Sequence, residues 1–390
     1  MDFDIYWILL GLPVAFALGW LASRLDFRQL RIDNRQAPRA YFKGLNFLLN
    51  EQQDQAIDAF IEAVQNDPDT SELHFALGNL FRRRGEYERA VRVHEHLLSR
   101  ADLSRTDRER AQHALALDFL KAGLLDRAED ALRKLENTPF ETQARLALLA
   151  IYERSREWPQ ATEITQKLQA AGQGDFSVRQ AHYLCEQALV ARIAGQFEQT
   201  LALLDQAIAA APNAPRPRMD LAVAHTTQGQ HAKAYATLVE LIKHAPTALP
   251  LIAADMARAA IASGQQVEAR QWLVDQYGQL PSLDIVEALV LLDGVLDAPS
   301  QDWYIQHLHH EPSLIAVSRW LTPDRLAEPE QHPQIQRALD ERARPLKRYR
   351  CAACGFEAQT HFWHCPGCQA WDSYPPVSYT HLRAHETPEH

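Results

Sequence analysis

Hydrophobic residues open the chain in one unbroken block. "IYWILLGLPVAFALGWLAS", Ile5 to Ser23, carries no charge over 19 positions. At 1.5 Å rise per residue, a helix of that length just crosses a hydrocarbon core of about 30 Å. A cleaved signal peptide would want a basic leader, and this one is "MDFD". Arg24, Arg28, Arg31, Arg35 and Arg39 follow the block. By the positive-inside rule that flank stays cytoplasmic and the short acidic N-terminus lies outside. The pattern therefore predicts a retained single-pass anchor over residues 1–28, with Trp7 and Trp20 as interfacial aromatics.

Beyond the anchor the apolar positions follow helical spacing, punctuated by glycine at a period near 34. "YFKGLNFLLNEQQDQAIDAFIEAVQNDPD" places Gly44, Ala56, Phe60, Ala63 and Pro68 in a frame that recurs at Gly78, Gly85, Tyr87 and Ala90. Later copies keep a turn glycine followed by a small residue: Gly123 and Ala128, Gly195 and Thr200, Gly229 and Ala234, Gly264 and Ala269. "REWPQATEI", with Ala161, is a weaker copy. This frame resembles the tetratricopeptide repeat over roughly residues 37–275. Each unit would be two short helices packed closely through the small residues. No single unit buries its apolar face, so the units are expected to stack into an all-α superhelix.

The first helix of each unit lines the inner face of such an array. In the repeat frame, Phe75, Asn79, Arg82, Arg83, Arg110, His113, Lys121, Arg192 and Arg258 are predicted to point there, Arg82 and Arg83 with exposed side chains. Bases converging in an acidic protein suggest a groove for an extended acidic segment; charges on a solvated helix face are the alternative. Cys185 takes a similar position and reads as a packed thiol. Residues 276–345 lose the period but keep helical stretches, "LDIVEALVLLDGVL" and "QIQRALDERARPL", divided by Pro299, Pro312, Pro323 and Pro329. "HLHHEP" at 307–312 lacks the HExxH spacing of a zinc helix and reads as helix surface.

Charge and cysteine count then narrow the class. The net charge is −10 and the sequence pI about 5.9, which argues against nucleic acid as a partner. Four of the five cysteines lie in "YRCAACGFEAQTHFWHCPGCQAW", so the chain has no scattered disulfide framework. Cys351, Cys354, Cys365 and Cys368 form two CxxC pairs. Each pair of thiolates at that spacing can supply two corners of a tetrahedral centre. Gly355 and Pro366-Gly367 permit the tight turns, and Lys347, Arg348 and Arg350 can offset the charge of four thiolates. A closed four-sulfur site leaves no position for water, which disfavours Lewis-acid catalysis. One iron or zinc ion is expected, and the spacing does not choose between them. A segment of this size has little core, so the ion is expected to supply its folding energy. If the segment docks on the last helices, near Trp320 and Leu339, its loss would expose their apolar surface.

"CAACGF…CPGCQAW" resembles the rubredoxin-type pair of knuckles. The order of anchor, repeat array and knuckle pair resembles the lipopolysaccharide assembly protein B family over nearly the whole chain, carried by Cys351, Cys354, Gly355, Phe356, Cys365, Pro366, Cys368, Ala370 and Trp371. That resemblance implies a non-enzymatic adaptor in the bacterial inner membrane, with its main domain cytoplasmic. It implies that the metal domain packs on the repeats. The implied partners are the lipid A pathway's deacetylase, a membrane AAA+ zinc protease, and other lipopolysaccharide synthesis or transport proteins. Two other readings stand beside it: a scaffold for those enzymes without proteolysis, and a rubredoxin-like electron carrier. The expected domains are 1–28 anchor, 29–275 repeats, 276–345 additional helices, 346–376 metal domain, and 377–390 a tail whose "SYTHLRAHET" resembles translated vector sequence.

Overall fold

The computed structural model describes residues 42–67, 70–296, 302–325, 329–343 and 349–375, together with Phe16 and Trp20. Apart from Phe16 and Trp20, the expected anchor, its arginine flank and the tail from 377 onward lie outside these residues. Among the described residues no helix is long and apolar enough to cross a membrane.

Repetition begins at the backbone. Glu51, Gly85, Gly123, Arg156, Gly195, Gly229 and Gly264 all adopt left-handed φ values, from 59° to 84°. Five residues after each comes a small side chain: Ala56, Ala90, Ala128, Ala161, Thr200, Ala234 and Ala269, none more than 1% exposed. The left-handed residue ends the first helix of a hairpin, and the small residue lets the second helix pack close against a neighbour. Most of these turns close with the same six-residue bond. Glu86 N donates to Phe81 O at 2.9 Å, Leu124 N to Phe119 O at 2.9 Å, Gln196 N to Ala191 O at 2.9 Å, and Gln265 N to Ala260 O at 2.8 Å. Two hairpins lack the glycine, and there Glu51 and Arg156 carry the strain. A non-glycine residue in this region costs roughly 1–2 kcal/mol.

Contacts divide the chain into two units, Met1–Arg156 and Glu157–His390. The first holds α1 (described over 42–49), α2 (Gln53–Asn66), α3 (Ser71–Arg84), α4 (Tyr87–Ser99), α5 (Arg105–Ala122), α6 (Leu125–Arg133) and α7 (Glu141–Ser155). Its core is built from Ile57, Phe60, Leu73, Leu77, Leu80 and Phe81, among others. Polar groups lie inside it too. His94 Nδ1 donates to Asp118 Oδ2 at 2.5 Å, and both side chains are fully buried. The His94 ring occupies the space where a Cβ on Gly78 would sit, 2.5 Å from Nε2. The glycine at this repeat position is therefore a requirement of packing and not of backbone angle.

The second unit holds α8 (Trp158–Ala170), α9 (Ser177–Ile193), α10 (Phe197–Ala210), α11 (Pro215–Thr227), α12 (His231–His244), α13 (Leu249–Ser263) and α14 (Gln266–Gln279). After the repeats come α15 (Leu283–Leu296), α16 (Trp303–His310), α17 (Leu314–Trp320) and α18 (His332–Ala343). One core runs from α11 through these later helices. Asp293 is buried there and accepts from Arg270 Nε at 2.5 Å and Trp303 Nε1 at 2.7 Å, tying α14, α15 and α16 together. The histidine run falls on α16: His309 and His310 are exposed, and His307 packs inward with Nδ1 3.3 Å from the Tyr277 hydroxyl. A two-stranded antiparallel sheet follows, β1 (Tyr349–Arg350) against β2 (Glu357–Ala358), with Tyr349 opposite Ala358.

Candidate metal centre and its seat on the repeats

The two CxxC pairs fold into knuckles of the same form. Cys351 N donates to Phe356 O, and Gly355 N to Cys351 O; fourteen residues later, Cys365 N donates to Ala370 O, and Gln369 N to Cys365 O, all at 2.8–2.9 Å. Gly355 at φ 78° and Gln369 at φ 62° occupy matching left-handed positions. Gly367 serves differently: a Cβ there would lie 3.3 Å from the Phe356 ring. Arg350 reaches back over Gly355, beside the first knuckle.

This pairing brings all four sulfurs within 4.8 Å of one another. Cys351 Sγ lies 3.7 Å from Cys368 Sγ, and Cys354 Sγ 3.8 Å from Cys365 Sγ. These are not disulfide distances, which are near 2.05 Å. They match the edge of a sulfur tetrahedron, about 3.8 Å for metal–sulfur bonds near 2.3 Å. Cys351 and Cys365 are buried, whereas Cys354 and Cys368 face solvent. Burial works against ionisation of Cys351, but Ser373 and the backbone N–H groups of Cys354 and Ala353 outweigh it and draw the thiol down to about 6. The donor set fits one soft or borderline ion held by sulfur alone. Zinc bound there would be a structural tie; iron would add one-electron chemistry.

The knot does not hang free. Trp371, three residues past the last cysteine, stacks on His182 of α9 with centroids 4.7 Å apart, and meets Trp158 and Tyr183 edge-on at 6.0 and 5.8 Å. Arg216 of α11 approaches His182 Nδ1 at 3.4 Å. A guanidinium can only donate, so Nδ1 accepts and Nε2 is left to donate. It donates to Asp372 Oδ2 at 2.8 Å. Glu186 accepts from the same guanidinium at 2.6 Å, and Asp220 lies 3.4 Å from Arg216 Nε. Tyr349 is pushed up to about 12 by burial, with Asp284 and Glu287 of α15 adding to it. The seat is thus the middle of the repeat region, which corrects the docking considered near Trp320 and Leu339. The reason is aromatic: Trp158 and Tyr183 offer the ring faces that Trp371 fills.

Comparison with known proteins agrees with these parts. Residues 349–375 match the rubredoxin metal binding domain, and residues 73–109 and 191–254 match tetratricopeptide repeats. Lipopolysaccharide assembly protein B of Escherichia coli K12 is 32% identical over 383 residues, covering 95% of this chain and 97% of its own. The chain belongs to the lipopolysaccharide assembly protein B family. The Haemophilus influenzae member is 29% identical over 390 residues, covering 95% of this chain and 98% of its own. A tetratricopeptide repeat protein from Parabacteroides merdae aligns with 66% of this chain and 99% of its own at 17% identity and a TM-score of 0.33.

In this member of the lipopolysaccharide assembly protein B family, the residues assigned to an inner groove fall into two groups. Arg83 and Lys121 in the first unit and Arg258 in the second are exposed, and Asn79 and Arg192 are partly so. Arg258 is engaged by Asp255 at 2.5 Å. Two assignments are corrected. Phe75 is a core residue, 1% exposed, with the Arg110 guanidinium 4.1 Å above its ring. Arg82 is not a free groove cation: it donates to Asp118 at 2.9 Å, to Ala114 O at 3.1 Å and to Asn79 Oδ1 at 2.5 Å. Asp118 is fully buried and already bound to His94, so it draws Arg82 inward to balance its charge. His113 stacks on Phe140 at 4.8 Å, and Cys185 is fully buried as a packed thiol.

Proposed function

We propose that this protein is a membrane-tethered, non-catalytic adaptor in lipopolysaccharide assembly. It brings the lipid A pathway's deacetylase to a membrane AAA+ protease, so that synthesis is restrained when the deacetylase is degraded. The observation that carries the reading is the seating of the knot: Trp371 and Asp372 lock a closed four-sulfur site onto buried His182, making it part of the repeat framework. A metal used so is a brace. Family membership supports the pathway, and the helical hairpins supply long faces of exposed side chains suited to binding other proteins. Arg83, Lys121, Arg192 and Arg258 are the cations we assign to partner contacts, with Asn79 beside them. The uncharged block at residues 5–23 is assigned as the inner-membrane anchor, with the repeats in the cytoplasm.

The test is affinity purification from membranes of the full chain and of a chain lacking residues 1–28, with partners identified by mass spectrometry. The full chain is expected to carry both the deacetylase and the protease. The shortened chain is expected to fold and bind in solution but to fail in restraining synthesis in cells. A full chain that captures neither enzyme, or a shortened one that regulates normally from the cytosol, contradicts the proposal.

A further inference from the structure

His182, Cys185, Leu189, Arg192 and Ile193 recur at three- and four-residue steps along α9 and so share one face. The knot covers this face at His182. Further along, among α9, α10 and α11, lies a cavity of about 60 Å³ whose lining includes Cys185, Leu189, Arg192, Arg216, Asp220 and Val223. Small-molecule sites usually run to roughly 300–1,000 Å³, so this one has room for a single side chain. Two of its lining side chains are open aliphatics, Leu189 at 36% exposed and Val223 at 41%, and Ile193, one turn beyond Leu189 on the same face of α9, is 78% exposed. Its floor is inert, because burial and the neighbouring Asp220 push the Cys185 thiol well above its usual range.

The charges on the walls are unequal. Arg216 is already engaged by Glu186, Asp220 and His182. Arg192 is half-buried and, among the described residues, its guanidinium has no ion pair or side-chain hydrogen bond. An uncommitted cation beside exposed aliphatic surface is complementary to a carboxylate next to an aliphatic side chain. The same Arg216 that forms one wall reaches the knot through His182 and Asp372. Without the knot, His182 loses the partner that orients it, and Arg216 loses its anchor on that side.

Building on the adaptor reading, we propose that this cavity seats one aliphatic side chain of an extended partner segment whose adjacent carboxylate pairs with Arg192. We infer too that the metal knot holds the cavity's wall in place through Asp372, His182 and Arg216. The metal site would then control partner binding without touching the partner.

The probe is a fluorescein-labelled ten-residue peptide of alternating Glu and Leu, titrated by anisotropy into the full chain in detergent. A Gln–Leu peptide runs beside it, and circular dichroism checks each variant for helical content. Arg192→Gln, Val223→Lys and Asp372→Ala are each expected to weaken Glu–Leu binding at least tenfold, and the Gln–Leu peptide to bind the wild type equally poorly. Equal affinity in wild type and Arg192→Gln, equal binding of both peptides, or no binding at all overturns the pocket. Wild-type affinity in Asp372→Ala overturns its link to the metal. Co-purification with the Arg192→Gln chain separates this from the adaptor reading. Deacetylase retained by that variant removes the pocket and leaves the adaptor standing. A wild-type chain that captures neither enzyme removes the adaptor, and the peptide titration still decides the pocket.

Discussion

Arg82 and Arg83 are neighbours in sequence with opposite fates. Arg83 is exposed, whereas Arg82 neutralises Asp118, a carboxylate with no access to water. Removing one member of a buried pair leaves the other uncompensated, at a cost of roughly 3–5 kcal/mol. Arg82→Glu should therefore destabilise the first unit by about that much in urea unfolding, and Arg83→Glu should leave its unfolding free energy within about 0.5 kcal/mol of wild type. A reversed order, or two equal losses, would mean that Asp118 finds its balance elsewhere. The repeat frame places both arginines on one helix but is silent about Asp118. That partner sits one repeat later, on a helix position that the consensus leaves free.

At the scale of elements, the hairpins were legible because turn and packing demands fall on residues with distinct chemistry. The turn glycines and the small residues five positions later stand in register from Gly85 to Ala269, and the structure uses them so. Glu51, Arg156 and Gln369 take left-handed positions without glycine, and nothing in their side chains announces it. The cysteine spacing disclosed the ligand set, since two CxxC pairs have few other uses. The seat of the knot was hidden for a different reason. Asp372 and His182 are 190 residues apart, and no local period connects them. An aromatic after the last knuckle and the tryptophan of "REWPQ" were the available signals, each unremarkable alone. The contact is testable at this scale. Asp372→Ala leaves the Nε2 hydrogen of a buried imidazole without an acceptor, which costs roughly 1–3 kcal/mol. Hydrogen exchange over residues 349–375 and along α9 should quicken while the first unit, Met1–Arg156, keeps its protection. Unchanged protection of α9 would mean that the aromatic contacts alone hold the knot.

For the molecule as a whole, we assign the metal to architecture. A closed tetrahedron of sulfur has no position at which a substrate could coordinate, and its protein face is occupied by Trp371 and Asp372 packing on the repeats. Iron and zinc both accept that geometry, so exchanging them should change colour and potential but not shape. Removing one thiolate should release the ion, unfold the knuckles and uncover Trp158, Tyr183 and His182. The most direct measurement is complementation in cells by chains whose metal content is fixed by elemental analysis: zinc only, iron only, and Cys351→Ser with neither. Full function is expected from both metal-loaded chains and loss of function in Cys351→Ser, with the repeat helices still folded by circular dichroism. A folded zinc-only chain that fails where the iron-only chain succeeds would contradict this assignment, and would make electron transfer the purpose of the site.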